Sequence, residues 1–505
     1  MKRLLALTIL CIMLLSTLVA CGIGKGDKTD ETDTKAQTSD VIESNTESDG
    51  DGDGETERSD KDVLPQKGEI DFNGMKYTIL SRKSTAYEFD DKIVGGSGGD
   101  RVVKAVHDRN ALVADRYNVV IKTRTEDGEW ANKDSFTKII EGENQSGWSE
   151  ICLVATHSGY INQIAVNGNA LDMNELDYVD YTSAWWSEAF YNDCLIDGKS
   201  LFMIGDIAYN MYERMEVMYF NQTLITANNY SEDMYALVYD GKWTYGEMKR
   251  MALDFAPSVS AGDPTDYAIL YNSHSVKAAL TGMEFSFTYR DENDRHQLYT
   301  ELPTYSVTLV DNFIDDLVLN NTIRWNRETA ADTEFGTKTF SEGKALFYGQ
   351  YLAEAKKIKA DMKDDFGILP APKADEAQES YHTGGCDNMT GVMIPKCVRN
   401  TTAVGLITEA LCMYSYQYVR PEYYEVALKT QYTDDTDVVE MLDYIRDCYT
   451  IPFGLAYATV MGNPYWAIEE CFIGNGETSI TSKYSGGYNT YKGNLDKMYQ
   501  TLDKQ

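Results

Sequence analysis

The chain has 505 residues, and its 80 acidic side chains outnumber its 46 basic ones, which gives a net charge of −34. Such an excess of negative charge repels phosphate backbones, so the composition argues against binding to DNA or RNA. A chain of this length exceeds what one hydrophobic core ordinarily supports, and we therefore expect two domains.

Residues 1–20 have the features of an export signal. Lys2 and Arg3 precede an apolar run that ends near Leu15, and small residues then lead to Cys21. The apolar run is too short to cross a bilayer comfortably. The arrangement resembles the lipobox of bacterial lipoproteins, in which the cysteine after the cleavage site is lipidated. The resemblance implies a lipid anchor at Cys21 and a place on the extracellular face of the bacterial cytoplasmic membrane.

A polar segment follows the anchor. Residues 21–67 consist mainly of Asp, Glu, Ser, Thr and Gly, with few large apolar side chains. Such a segment buries too little apolar surface to offset the entropy lost on ordering, so we expect a disordered acidic tether. No second apolar stretch approaches twenty residues, and the lipid is therefore the membrane attachment that the sequence predicts.

Strands and helices alternate after the tether. Residues 75–80 alternate as in a strand, 101–117 have the apolar spacing of a helix, and 117–122 and 150–155 read as two further strands. This order favours a parallel or mixed sheet covered by helices. Ligands of open α/β sheets bind beyond the carboxyl ends of the strands, so the residues that follow each strand are candidates for contact.

Further elements follow in the second half of the chain. Residues 198–206 read as a turn entering a strand, and 216–221 as another strand. Thr244 and Glu247 have the spacing of a capping box, which predicts the start of a helix. Residues 339–347 read as a helix end, a turn and a strand, and 365–372 as a short strand stopped by prolines.

Three segments carry a family resemblance. Residues 198–221 contain Gly-Lys-Ser-Leu and end in Met-Tyr-Phe-Asn, residues 340–345 read Phe-Ser-Glu-Gly-Lys-Ala, and residues 366–372 read Phe-Gly-Ile-Leu-Pro-Ala-Pro. In this order they resemble the extracellular solute-binding proteins of ABC importers, the family that includes maltose-binding protein. The resemblance implies an α/β, two-lobed fold of the type II periplasmic-binding-protein kind, with a mixed sheet in each lobe and a hinge between them. By that analogy the lobes comprise 68–208 with 340–395, and 209–339 with 396–505.

The resemblance also implies a function and a set of ligand contacts. A monomer would capture a small solute, preferably a sugar or oligosaccharide, between its lobes and deliver it to the permease subunits of an ABC importer. Sugars present flat apolar faces rimmed by hydroxyls, so aromatic and planar polar side chains near strand ends are the candidates. They are Arg82, Thr156, His157, Tyr209, Asn210, Tyr348, Gln350, Tyr351, Asn388, Asn463 and Trp466.

Alternatives remain open for the function and for several residues. A secreted glycoside hydrolase would also suit a chain rich in carboxylates, and a binding subunit could serve a membrane sensor instead of an importer. No catalytic-serine, zinc-protease or Walker motif is present, no cofactor is indicated, and the five histidines lack metal-ligand spacing. Seven cysteines lie beyond Cys21 without a spacing that fixes their pairing. Trp185 and Trp186 fit interior packing better than a cleft.

Overall fold

The computed structural model describes residues 60–84, 89–90, 93, 95–96, 98, 100–230, 232–255, 267–271, 275–316, 331–385, 389–428, 436–473 and 479–504. The predicted export signal, the lipid anchor at Cys21 and most of the predicted tether lie outside these residues. Asn388, one of the predicted ligand contacts, also lies outside them. Among the described residues, no helix has the length and apolar character needed to cross a bilayer.

The first of two large sheets is built mainly from the N-terminal third of the chain. Its strands are β1 Met75–Ser84, β2 Phe89–Asp90, β3 Val119–Asp127, β4 Ile151–His157 and β11 Thr390–Met393. β1 pairs in parallel with β3 and β4, whereas β11 runs antiparallel to β4. Every residue of β4 is buried, as its continuous apolar run predicts.

The second sheet has four strands in the order β10-β5-β9-β6. They are β5 Glu216–Asn221, β6 Tyr267–Tyr271, β9 Ala345–Tyr351 and β10 Phe366–Pro370. β5 is antiparallel to both of its neighbours, and β6 is parallel to β9. A separate hairpin consists of β7 Thr288–Arg290 and β8 His296–Leu298.

The sheets divide residues 340–395 differently from the predicted lobe boundary. That range was expected in the first lobe, but β9 and β10 flank β5 in the second sheet, and only its last strand, β11, joins the first sheet. Aromatic packing holds β9 and β10 in the second sheet, because the ring of Tyr219 on β5 lies against Phe340, Tyr348 and Phe366 in one core.

Helices cover both sheets. In chain order they are α1 Arg101–Tyr117, α2 Lys133–Gln145, α3 Ser158–Ile164, α4 Glu188–Cys194, α5 Asn210–Glu213, α6 Gln222–Ala227, α7 Met234–Tyr239, α8 Tyr245–Phe255, α9 Ser275–Gly282, α10 Thr304–Ile314, α11 Ala331–Ser341, α12 Ala355–Asp361, α13 Thr401–Tyr414, α14 Arg420–Leu428, α15 Thr436–Asp447, α16 Phe453–Ala456, α17 Ala458–Met461, α18 Trp466–Ile473 and α19 Ile480–Leu502.

Local sequence explains where several helices begin and end. The side chain of Asp100 accepts a hydrogen bond from the N–H of Val103 at the start of α1, and Asn118 ends that helix in the left-handed region. Thr244 accepts from the N–H of Glu247 at 3.2 Å, which confirms the predicted helix start. The strand expected within 198–206 is reduced to isolated bridges, one of them between Met203 and β11.

The chain passes between the two sheets through three segments that pair with one another. We call residues 215–216, 383–385 and 448–450 the crossover region. The N–H of Glu216 donates to the carbonyl of Gly384 at 2.9 Å, and the N–H of Thr383 donates to the carbonyl of Cys448 at 2.8 Å. Beside it, the buried guanidinium of Arg446 donates to the carboxylate of Asp206 at 2.7 Å. Main-chain hydrogen bonds therefore connect the three segments of the crossover region, and a buried ion pair lies beside them.

Candidate functional site

The carboxyl ends of three parallel strands meet at one edge of the first sheet. Because β1, β3 and β4 run in the same direction, the residues that follow them gather there. We call the resulting group the strand-end cluster. Its members are Arg82, Gly128, Trp130, Thr156, His157 and Tyr160. The cluster includes three predicted contacts and an indole that the sequence analysis did not select.

Three aromatic rings form the centre of the strand-end cluster. The ring centroid of Trp130 lies 5.5 Å from that of His157 and 6.4 Å from that of Tyr160. His157 and Tyr160 are buried, whereas Trp130 remains 39% exposed. The Nζ atom of Lys133 lies 5.4 Å from the indole centroid. An accessible indole held by buried rings provides a rigid apolar face with a polar surround.

Hydrogen bonds fix the orientation of Tyr160. Its hydroxyl donates to the carbonyl of Gly128 at 2.9 Å, and Thr156 Oγ1 lies 2.6 Å from the same oxygen. Since the phenol has one proton, the hydroxyl of Thr156 is the donor in the second bond. A Cβ atom on Gly128 would lie 2.5 Å from Cβ of Arg82, so the turn before Trp130 requires glycine.

His157 orients the helix that leaves the cluster. Its Nδ1 atom accepts a hydrogen bond from the N–H of Gly159 at 2.9 Å, which satisfies one free donor at the start of α3. Accepting at Nδ1 requires the neutral tautomer with its proton on Nε2. Thr156 and Arg82 are buried as well, and the hydroxyl of Thr156 is bonded to Tyr160.

A C-terminal segment lies against α3 next to the cluster. Asn162 Nδ2 donates to the carbonyl of Ala456 at 2.6 Å. The hydroxyl of Thr459 donates to the carbonyl of Gly159. These contacts join α16 and α17 to the carboxyl-end edge of the first sheet.

A polar groove of about 480 Å³ lies between α2, α3, α17 and α19. α2 begins directly after the turn that contains Trp130, and α3 carries Tyr160. The groove is lined mainly by carboxylate, amide, ammonium and hydroxyl groups. They include Asp134, Lys138, Glu141, Gln163, Asn167 and Asn494.

One edge of the second sheet lies at the crossover region. β6 and β9 end there and β5 begins there, because β5 is antiparallel to β9. We call it the crossover edge. Tyr271 and Tyr351 end their strands at this edge, and Glu216 opposes Tyr351 in the register of β5 and β9. Gln350 is buried, and its Oε1 atom accepts from the N–H of Tyr351 at 2.9 Å.

Asn210 links the first sheet to the crossover region. Its Nδ2 atom donates to Oγ1 of Thr390 at 2.7 Å, and Thr390 pairs with His157 across β11 and β4. The N–H of Ser158 donates to the carbonyl of Met389 at 2.9 Å. Residues 384–385 therefore lie at the second sheet, and residues 389–390 lie at the first. In the sequence, the predicted ligand contact Asn388 falls between these two pairs.

Other predicted contacts lie apart from the strand-end cluster. Tyr348 is buried, stacks on Tyr219, and lies with its hydroxyl 3.1 Å from Oγ1 of Thr337. Tyr209 packs on Tyr423 and lines a small cavity of about 80 Å³ on the α1 side. The core role of Tyr348 follows from its position in the middle of β9, where a central strand is covered on both faces.

Trp466 and Asn463 lie at the start of α18. Trp466 is 51% exposed, and its N–H donates to the carbonyl of Asn463 at 3.1 Å. One turn later, Glu469 pairs with Lys277 at 2.5 Å, which joins α18 to the first turn of α9. Since α9 follows β6, this pair places the start of α18 beside the crossover edge.

Trp185 and Trp186 are interior residues, as predicted. Their indole N–H groups each donate at 2.8 Å to a different oxygen of Glu409. Burial raises the pKa of Glu409 to about 8, and the two indole bonds only partly oppose that rise. The described cysteines are unpaired, and the described residues hold no group of three or more metal-ligating side chains.

Neither a family model nor a curated protein sequence matches the chain. Solved structures do match its fold. The sugar-binding protein MalE from Xanthomonas citri has a TM-score of 0.58 and 11% identity, with 85% of this chain and 100% of that chain covered. The galacto-N-biose-/lacto-N-biose I-binding protein of the ABC transporter from Bifidobacterium longum has a TM-score of 0.54 and 13% identity, with 85% and 99% covered.

A third match is the cyclic alpha-maltosyl-1,6-maltose binding protein from Arthrobacter globiformis. It has a TM-score of 0.53 and 14% identity, and the alignment covers 84% of this chain and 99% of that chain. At such identities the likeness establishes the fold. The chain therefore has the two-lobed type II periplasmic-binding fold, as the sequence motifs predict.

Proposed function

We propose that the chain is a solute-binding protein that captures a sugar or oligosaccharide between its lobes and delivers it to an ABC importer. The strand-end cluster carries this proposal, because it offers an exposed indole beside polar groups at the edge where α/β sheets bind ligands. The structural neighbours named for lacto-N-biose and cyclic maltosyl-maltose binding support the same ligand class.

The indole of Trp130 would stack on the apolar face of a sugar ring. Hydroxyls at the rim of that ring would then reach the polar groups of the adjoining groove, such as Asp134 and Gln163. On the second lobe, Tyr351 and Trp466 offer partly exposed aromatic faces near the crossover edge. A ligand that touches both lobes favours their approach, since closure is stabilised only by contacts made in the closed state.

The lipid anchor and the transport partners belong to the same proposal. Cleavage before Cys21 and lipidation of its thiol would hold the domain outside the cytoplasmic membrane on its acidic tether. Permease subunits of an importer would recognise the liganded form. Replacing Cys21 by Ala should move the protein from the membrane fraction to the medium, and persistence at the membrane would contradict the anchor.

A panel of mono- and oligosaccharides tests the proposal directly. Ligand at 100-fold its Kd should add about 2.7 kcal/mol to stability, which a thermal-shift measurement detects. Calorimetric titration then gives the affinity, and chromatography of the recovered sugar shows whether it is intact. Intact sugar supports a binding protein, whereas hydrolysis products would favour the glycosidase alternative. If no saccharide raises the melting temperature, the carbohydrate assignment is wrong.

A further inference from the structure

A two-stranded hairpin of the second lobe lies against a helix of the first lobe. β7 and β8 fall in the chain between β6 and β9, which are both strands of the second sheet. α4 falls between β4 of the first sheet and the first crossing at residues 215–216. Contacts between this hairpin and the end of α4 therefore join the two lobes at a place other than the crossover region.

The carbonyl groups at the C-terminal end of α4 accept hydrogen bonds from the hairpin. Arg290 Nη2 donates to the carbonyls of Asn192 and Asp193 at 2.6 and 3.0 Å. Nε2 of His296 donates to the carbonyl of Asp193 at 2.8 Å. The last carbonyls of a helix have no partner within the helix, and positive charge is favourable beside them. α4 therefore obtains its C-terminal cap from the other lobe.

An ion pair follows directly after these hydrogen bonds. Arg295 Nε and Nη2 donate to the two carboxylate oxygens of Asp197 at 2.8 and 2.7 Å. A bidentate pair of this kind fixes the orientation of both groups. The side chains are 34% and 29% exposed, so salt screens the pair and its strength is modest. We call Arg290, Arg295 and His296, with their partners on residues 192–197, the hairpin latch.

The hairpin latch lies one helix length from the crossover region. At the other end of α4, the hydroxyl of Ser187 donates at 2.9 Å to the carbonyl of Tyr449, which belongs to the crossover region. α4 has 7 residues and is therefore about 10 Å long. Because hydrogen bonds need donor–acceptor distances of about 2.7–3.2 Å, a rotation about the crossover region that moves the hairpin by a few ångström breaks the latch.

We propose that the hairpin latch holds the lobes in a closed arrangement and thereby raises the affinity for the solute without contacting it. Residues beyond 448–450 follow the third crossing, and there Thr459 bonds to Gly159 beside the strand-end cluster, so the lobes touch in the structure. The inference rests on the proposed function, in which a solute binds tightly to the closed state. The apparent Kd rises as the closed fraction of the free protein falls, so contacts that favour closure strengthen binding.

Small-angle scattering and calorimetric titration test the hairpin latch. Arg290→Met/Arg295→Met should increase the radius of gyration of the unliganded protein, and should weaken binding of the tightest saccharide about threefold to tenfold. Asp197→Asn should act in the same direction with a smaller effect. Its backbone lies in the left-handed region, with φ 51°, which suits Asn as well as Asp, so this variant keeps the turn intact. Saturating saccharide should return both variants to the wild-type scattering curve.

Arg250→Met is the matched control, because Arg250 pairs with Glu232, Glu247 and Asp254 within the second lobe alone. It should leave the radius of gyration and the affinity at wild-type values. An unchanged radius in Arg290→Met/Arg295→Met would overturn the latch, and an increased radius with unchanged affinity would overturn its role in binding. The scattering of the free protein needs no ligand, so it tests the latch even where no saccharide binds and the proposed function fails.

Discussion

The indole of Trp130 and the imidazole of His157 lie 5.5 Å apart between ring centroids, although the two residues are 27 positions apart in the sequence. β3 and β4 bring them together, because both strands run parallel to β1 and end at the same edge of the sheet. The neutral imidazole is fixed by its bond to Gly159, and it supports one edge of the exposed indole. The pair is thus a rigid platform on a strand-end surface, the kind of feature that an apolar sugar face requires.

Trp130→Ala should weaken saccharide binding about tenfold or more, because the variant loses the stacking surface. Calorimetric titration with the best saccharide from the panel measures the change. Trp148→Ala is the matched control, since Trp148 is also an exposed indole of the first lobe but packs against Arg399 instead of the cluster. Equal affinities of the two variants would remove Trp130 from the ligand site.

The sequence locates much of the first sheet but misses the exposed indole of Trp130 at its carboxyl-end edge. The predicted second strand stops at Lys122, because charged side chains interrupt the apolar pattern beyond that residue. β3 continues to Asp127, since residues 122–125 are all exposed and the strand there tolerates charged side chains such as Arg124. Had the strand been extended, the carboxyl-end rule that selected Arg82 and His157 would also have selected Trp130.

Long-range pairing and burial of polar groups were harder to predict. The motif around Gly343 correctly indicates a strand, but nothing local to residues 345–351 reveals that they pair with β5, more than 120 residues earlier. Glu216 is a charged residue type that is rarely buried without a partner, so its position within the second sheet has no sequence signal. The placement of the other predicted contacts relative to a bound solute stays a prediction.

Gly128→Ala should lower stability by about 1–3 kcal/mol, because the added methyl group overlaps the buried side chains of Arg82 and Tyr160. The variant should also weaken saccharide binding, since the turn that holds Trp130 must shift. Gly142→Ala is a helical control with nothing within 4 Å of the new methyl group, and it should raise stability by about 0.5–1 kcal/mol. Urea unfolding compares the two, and an unchanged midpoint for Gly128→Ala would contradict the close packing.

Breaking the Asp206–Arg446 pair should destabilise the protein strongly. Both side chains are almost fully buried, so Arg446→Leu leaves the carboxylate without its cation and should cost about 3–5 kcal/mol. The double variant Asp206→Leu/Arg446→Leu should recover much of that loss, because no buried charge of the pair remains. Lys242→Ala, which removes an exposed ion pair with Asp240, should change the free energy of unfolding by less than about 0.5 kcal/mol. A double variant no more stable than Arg446→Leu would contradict the view that the unpaired carboxylate of Asp206 causes the loss of stability.

Stability should fall as the pH rises from about 5 to 8, and Glu409 should account for part of the fall. Its pKa is about 8 in the folded protein against about 4.5 when unfolded, so the folded state holds the proton over that interval while the unfolded state has lost it. The contribution is fully present below the unfolded pKa and is lost towards the folded pKa, with a slope of at most about 1.4 kcal/mol per pH unit. Urea unfolding at several pH values measures this slope. Glu409→Gln should reduce it, and adding Glu216→Leu should reduce it further, because burial raises the pKa of Glu216 in the same direction. An identical pH profile in the wild type and the double variant would show that these two acids are not neutral in the folded protein.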